Sequence, residues 1–196
     1  EVLIIGGVHG DEPEGIAAAW GLIDKLSTWP FVNDLCLTII PQLNPDGLLA
    51  KTRGNANGVD LNRNLPTKDW SPIAANQRYA PGPFANSESE NKALVDFLNL
   101  NRPNYIISLH SWNPMLNTNG NCNPIVEVIA AETGYAIEPT IGYPTPGSLG
   151  TWGTENDIPV LTYEIERDLA IKRIIQEHVP AILKGLESLV KRKAKS

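Results

Sequence analysis

Val2–Ile5 is an apolar, largely β-branched run that stops at Gly6-Gly7, the pattern of a buried strand entering a loop. From Pro13 to Leu26 apolar residues recur at helical spacing (Ile16, Ala19, Trp20, Ile23, Leu26), behind acidic residues and a proline that suit a helix start. Leu35–Ile40 predicts a second buried strand, followed by the turn Asn44-Pro45-Asp46-Gly47. Ala93, Leu94, Phe97 and Leu98 predict a helix capped by the segment Ser87–Glu90. Tyr105–Leu109 reads as a third strand ending at His110, Ile125–Thr133 as a helix and Val160–Ile165 as a fourth strand. Leu169–Val190 predicts a long closing helix, kinked near Pro180.

Strands alternating with helices predict an α/β sandwich, with a mixed, largely parallel central sheet flanked by helices. In open sheets of that kind ligands bind beyond the carboxyl ends of the strands. His9, Asn44, His110 and Glu164 each fall at such an end, so four polar positions are expected on one edge. Residues 51–86 are dense in Gly, Asn and Pro with little periodicity, and a loop of this length inside a compact domain is expected to carry function. No repeat or linker interrupts the chain, and 1–196 is read as one domain.

A chain of 196 residues buries roughly 70% of its unfolded surface. It has core enough to fold without a metal staple, so a bound metal is expected to be catalytic. The net charge of −6 argues against nucleic acid or an anionic membrane as partner. The one basic run, Lys191-Arg192-Lys193 with Lys195, reads as a solvated helix end. Of the two cysteines, Cys36 reads as a small core residue and Cys122 as part of a polar loop. Two cysteines make no disulfide framework, which points to a reducing, cytoplasmic compartment. No apolar stretch approaches the ~18–20 residues of a membrane span, and no signal pattern opens the chain. The abrupt start in a strand, without Met, points to residues missing before it.

His9-Gly10-Asp11-Glu12 places an imidazole and a carboxylate three residues apart where a strand turns into a helix. Zinc takes both donor types, and a His₂Glu site needs one further histidine while leaving a position for water. Of the three histidines, His178 lies in the closing helix, which leaves His110 at the end of an apolar strand. A lone His-x-x-Glu is common by chance, so the case rests on further blocks in order.

Those blocks are Asn57-Gly58-Val59-Asp60-Leu61-Asn62-Arg63-Asn64, Leu109-His110-Ser111 and Thr162-Tyr163-Glu164-Ile165. With His9–Glu12 they resemble the zinc metallocarboxypeptidase family. Asn44–Gly47, Ser87–Glu90 and Gly142–Ser148 are similar to its bacterial murein peptide amidase group, which cuts γ-D-glutamyl–meso-diaminopimelate bonds. The resemblance implies a zinc carboxypeptidase-like fold and one Zn²⁺ per chain held by His9, Glu12 and His110. It implies that Asp60 accepts the outer ring N–H of His9. Asn62, Arg63 and a mobile Tyr143 would bind the free carboxylate of a small peptide substrate. Arg53 would stabilise the oxyanion, and Glu164 would act as general base, with Glu166 a rival two residues on. The segment Pro144–Trp152 would shape the pocket for the terminal side chain.

The alternative reading is a zinc deacylase of N-acyl amino acids, of the succinylglutamate desuccinylase or aspartoacylase kind. The Tyr143 loop and the lack of room for an added C-terminal domain favour the peptidase. Family members carry strands before the first one seen here. A chain lacking them exposes an edge strand, from which dimerisation or weak stability is expected; the oligomeric state stays open.

Overall fold

The computed structural model describes residues 1–193. Its elements are β1 (Val2–Ile5), α1 (Pro13–Leu26), β2 (Leu37–Ile40), α2 (Pro45–Ala50), α3 (Ser89–Asn101), β3 (Tyr105–Trp112), β4 (Met115–Asn119), α4 (Ile125–Thr133), β5 (Ile137–Glu138), α5 (Leu149–Glu155), β6 (Val160–Glu166), α6 (Ile171–Arg173) and α7 (Val179–Lys193). The strands form one sheet in the order β2-β1-β3-β6-β4-β5. β2, β1, β3 and β6 run parallel, and β4 is antiparallel to β6.

Because successive strand residues point to opposite faces, each central strand feeds two cores. Val2 and Ile4, Ile107 and Leu109, and Leu161, Tyr163 and Ile165 pack with Leu22, Ile125, Ile129, Val179 and Ile182 of α1, α4 and α7. On the other face Leu3, Ile5, Ile106 and Val160 meet Leu61, Leu94, Leu98, Leu149 and Trp152 from the long loop, α3 and α5. That second face turns polar toward the carboxyl ends: Ile106 is followed by Ser108 and His110, and Val160 by Thr162 and Glu164. In register, Ser108 pairs with Thr162, His110 with Glu164, and Thr162 with Asn117 of β4. The sheet thus runs from apolar core to chemistry along one face.

The structure departs from the sequence reading at several elements. β2 is a half-buried edge strand, because only β1 pairs with it. Cys36 before it is exposed, and Cys122 is the buried thiol instead, with its carbonyl accepting from the Tyr105 hydroxyl at 2.9 Å. In α1 the buried face is Ile16, Ala18, Ala19 and Leu22, while Trp20 and Ile23 face solvent. α3 begins without a side-chain cap: Glu88 instead accepts from Asn55 and Asn57 at 2.8 and 2.7 Å. β4 runs into the polar loop expected before Cys122, since Asn117 and Asn119 carry little strand propensity and β4 exists through its pairing with β6; β5 was not anticipated. The closing helix carries one π turn, Ile174–His178, just before Pro180. There Val179 N donates to Ile174 O, which accommodates a proline that lacks the N–H for an α-type bond. Lys191 pairs with Glu187 at the exposed helix end, and Lys195 lies outside the described residues.

The 51–86 segment holds two short 3₁₀ turns, Leu61–Arg63 and Gln77–Tyr79, and is otherwise irregular. Buried amides pin it. Asn64 Nδ2 donates to Pro81 O at 2.7 Å, and Asn91 Nδ2 to Leu61 O at 2.9 Å.

Candidate metal centre

His9 and Glu12 come from the turn between β1 and α1, His110 from the end of β3, and Glu164 from β6 beside it. Two glycines set how closely these segments meet. A Cβ on Gly10 would stand 1.9 Å from the carbonyl carbon of Gly47, and one on Gly15 2.4 Å from the carbonyl oxygen of Leu109. The ligand turn is therefore pressed against α2, and the first turn of α1 against the end of β3.

Inside this junction three ligand atoms converge. His9 Nδ1 lies 3.0 Å from Glu12 Oε1. His110 Nδ1 lies 2.9 Å from Glu12 Oε2 and 3.1 Å from His9 Nδ1. The outer nitrogens are taken: His9 Nε2 lies 3.0 Å from Asp60 Oδ1, and His110 Nε2 lies 2.9 Å from Ser108 Oγ. Asp60 can only accept, so it holds the proton of neutral His9 on Nε2 and turns the Nδ1 lone pair inward. With the His110 proton on Nε2 toward Ser108 Oγ, two imidazole lone pairs and a carboxylate face one another, an arrangement that a shared cation would satisfy. His₂Glu is a donor set that zinc accepts, and these three residues can offer one atom each, all within 4.8 Å of one another.

The electrostatics agree. Burial alone would lower the pKa of His9, but Glu12 and Asp60 more than offset this and raise it above 6.5. Burial would raise Glu12, yet His9 and His110 hold it well below the ordinary carboxylate range. Asp60 is likewise held down against its burial, by His9 and then Arg53.

Arg53 bridges Asp60 Oδ2 at 2.8 Å through Nε and Glu12 Oε1 at 3.1 Å through Nη1, with its guanidinium 5.1 Å above the ring of Tyr79. Asn62 Oδ1 accepts from Leu149 N at 2.8 Å, which turns its Nδ2 toward the cleft. Arg63 Nη1 donates to Asn62 O at 2.6 Å. Tyr143 is half exposed on the cleft wall, its ring 6.1 Å from Trp112. Glu164 is 5% exposed, and its Oε2 is buried without a hydrogen-bond partner. Burial pushes its pKa up to about 7, with Glu12 adding to the rise and His110 opposing it. Glu166, its rival on the same strand face, is exposed and does not line the cleft.

All nine site residues singled out from the sequence therefore stand at one place. The sequence placed Asn44 on this edge without a role, and it did not point to Ser108 or Glu14. Ser108 orients His110, and its position two residues earlier on the strand was the available signal. Asn44 caps α2 and donates to Val8 O and Arg53 O, each at 3.3 Å, tying the ligand turn to the Arg53 loop. Glu14 accepts from Ser111 Oγ at 2.5 Å and Asp168 N at 2.8 Å.

A family model described as zinc carboxypeptidase matches residues 1–138. The chain belongs to the zinc carboxypeptidase family. It is a hydrolase on that account. The chain is 30% identical over 196 residues to murein peptide amidase A of Vibrio campbellii, covering 94% of this chain and 77% of that one. It is 29% identical over 173 residues to murein peptide amidase A of Escherichia coli K12, covering 83% and 69%. Among solved structures, the murein-tripeptide amidase of Escherichia coli O157 superposes with a TM-score of 0.80 at 24% identity, over 94% of this chain and 80% of that one. Bovine thrombin-activatable fibrinolysis inhibitor shares the fold, with a TM-score of 0.77 at 21% identity over 97% of this chain and 82% of that one. These relatives favour the peptidase over the N-acyl amino acid deacylase.

Proposed function

We propose that this zinc carboxypeptidase binds one zinc per chain through His9, Glu12 and His110 and hydrolyses the γ-D-glutamyl–meso-diaminopimelate bond of murein peptides. The observation that carries the reading is the partnerless buried carboxylate of Glu164 beside three converging ligand atoms. The names of the amidase relatives support the substrate class.

When bound, zinc supplies Lewis acidity toward the scissile carbonyl and acidifies the attacking water. Glu164 takes the proton of that water and returns it to the departing amine. Burial raises its proton affinity above that of an ordinary carboxylate, which suits a group that must take up a proton and give it back. Arg53, fixed on Asp60 and Glu12, keeps guanidinium N–H groups for the carbonyl oxygen as negative charge develops there. Arg63 and the Nδ2 of Asn62 bind the free carboxylate of the departing residue, and the Tyr143 hydroxyl closes over it. Past them the cleft ends on Asn117, Asn119 and Thr162, neutral hydrogen-bonding groups suited to a polar side chain. Gly150 leaves the room, since a Cβ there would meet Asn119 Oδ1 at 2.3 Å.

The test is one zinc-loaded sample given L-Ala-γ-D-Glu-meso-diaminopimelate, the same peptide amidated at the carboxylate beside the scissile bond, N-succinylglutamate and N-acetylaspartate. The free tripeptide is expected to be cut and the amidated one to lose about 10- to 100-fold in kcat/KM, the scale of a lost charge-assisted pair. Faster cleavage of either acyl amino acid would overturn the peptidase reading.

A further inference from the structure

Four of the chain's seven arginines, Arg53, Arg63, Arg78 and Arg167, line the cleft of a molecule whose net charge is −6. The reaction proposed above uses Arg53 and Arg63 and leaves the other two without a task. Both of these close on Asp11, inside the ligand turn. Arg78 Nη2 donates to Asp11 Oδ2 at 2.7 Å, and Arg167 Nη2 stands 3.6 Å from the same oxygen. Arg167 is oriented further by donating to Asp11 O at 2.6 Å through Nη2 and to Ser111 O at 3.4 Å through Nη1. One carboxylate matches one guanidinium, so the pair carries an unmatched positive charge. The side chains of Arg78 and Arg167 are 46% and 36% exposed, so that charge faces the cleft and not the core. A guanidinium has five N–H donors, and neither arginine uses more than part of its set on the protein. N–H groups remain on each that can meet a carboxylate.

The place of the pair along the cleft follows from its contacts. Asp11 precedes the ligand Glu12, and Ser111 follows the ligand His110. Asn62, which takes the departing residue's carboxylate, is tied instead to Leu149 on the wall formed by residues 147–150. With the departing residue on that wall, the acyl residue of the scissile bond extends toward Asp11 and Ser111. Arg167 lines the same cleft as Glu164 and His110.

We propose that Arg167 and Arg78 read a second, free carboxylate on the acyl side of the scissile bond, so that the cleft selects a dicarboxylic acyl residue linked through its side chain. The proposal rests on the carboxypeptidase reading and names what distinguishes its substrate. In an ordinary α-linked peptide the acyl residue carries no free carboxylate beside its backbone carbonyl. A γ-linked glutamyl residue presents its α-carboxylate a few carbons from the scissile carbonyl, where the two guanidiniums wait.

The experiment uses zinc-loaded protein and two tripeptides that share the departing residue. One has γ-linked glutamate with a free α-carboxylate, and the other has the α-carboxamide. Wild type is expected to favour the carboxylate by about 10- to 100-fold in kcat/KM, the range for a charge-assisted hydrogen-bonded pair. In Arg167→Gln the preference is expected to fall to within about threefold, and in Arg78→Gln it falls by less. The ratio is indifferent to partial loss of folded or zinc-loaded protein, because both substrates meet the same sample. Arg78→Gln keeps the test open if Arg167→Gln misfolds, since the Arg78 side chain is held through Asp11. A wild-type ratio near one, or a ratio unchanged in both variants, overturns the proposal and leaves the carboxypeptidase standing, because the peptides are still cut. If neither peptide is cut the carboxypeptidase reading fails. The same pair titrated calorimetrically then reads the arginines directly. Tighter binding of the carboxylate form, lost on Arg167→Gln, supports the proposal; equal binding overturns it.

Discussion

Replacing Glu164 by Gln is expected to stabilise the metal-free protein while removing turnover from the zinc-loaded one. The side chain is 5% exposed, and its Oε2 has no partner, so the folded protein disfavours its charge. Burial moves the pKa from 4.5 to about 7. For an acid whose pKa is raised on folding, the folded state holds the proton more tightly. Stability is therefore greatest below the unfolded value and falls as pH rises through the folded one. At ~1.4 kcal/mol per tenfold the gap is worth roughly 3 kcal/mol above both values. Gln has the same shape and no charge to bury. At pH 8 the variant is expected to gain ~3 kcal/mol, and at pH 5 less than ~1 kcal/mol. For a chain of this size the gain at pH 8 corresponds to a Tm rise of about 6–12 °C. Scanning calorimetry of metal-stripped wild type and variant at the two pH values reads it. Zinc favours the carboxylate, so the gain shrinks when the metal is restored. Turnover of the zinc-loaded variant is expected to fall by about 10²–10⁴ or more. No rise in Tm at pH 8, or an equal rise at pH 5, would refute the buried-charge argument. Near-normal turnover with zinc bound would refute the role of general base.

Asp60→Asn leaves His9 without the carboxylate that fixes its tautomer, and zinc affinity is expected to fall by about 10–100-fold in a chelator competition. Gly10→Ala places a methyl against the Gly47 backbone and should cost the zinc although no ligand has changed; zinc content by mass spectrometry reads the result. His178 is buried with its Nδ1 2.6 Å from the Tyr163 hydroxyl, and burial holds its pKa below 6.5. Stability from this group is complete above 6.5 and is lost as pH falls through the folded value. His178→Leu should flatten the acid-side slope, at a cost of roughly 1–3 kcal/mol at all pH from the orphaned hydroxyl; an unchanged slope in acid denaturation would contradict this.

The parts of the fold that were legible in the sequence are those where a local pattern and tertiary burial agree. Val2–Ile5 is apolar because both sheet faces are covered there, and α1 begins at Pro13 as its proline and acidic residues require. β4 was illegible because Asn117 and Asn119 face a polar cleft and its strand state comes from pairing with β6, far along the chain. Cys36 looked buried from its apolar neighbours, but an edge strand leaves one side open. The site was legible where residues recur in motifs, as at His9–Glu12 and Asn57–Asn64. The partners that orient them were not: Ser108 and Glu14 are ordinary polar residues until the fold brings them into contact, and Asn44 was placed on the edge without its capping role.

The most direct test of the central claim is zinc content of purified wild type and His9→Ala, measured with the release of diaminopimelate from L-Ala-γ-D-Glu-meso-diaminopimelate by the same samples. The account predicts about one zinc per wild-type chain, its loss in the variant, and release that tracks the metal. Wild-type protein that takes up no zinc after reconstitution, or that releases diaminopimelate equally without it, would contradict the account.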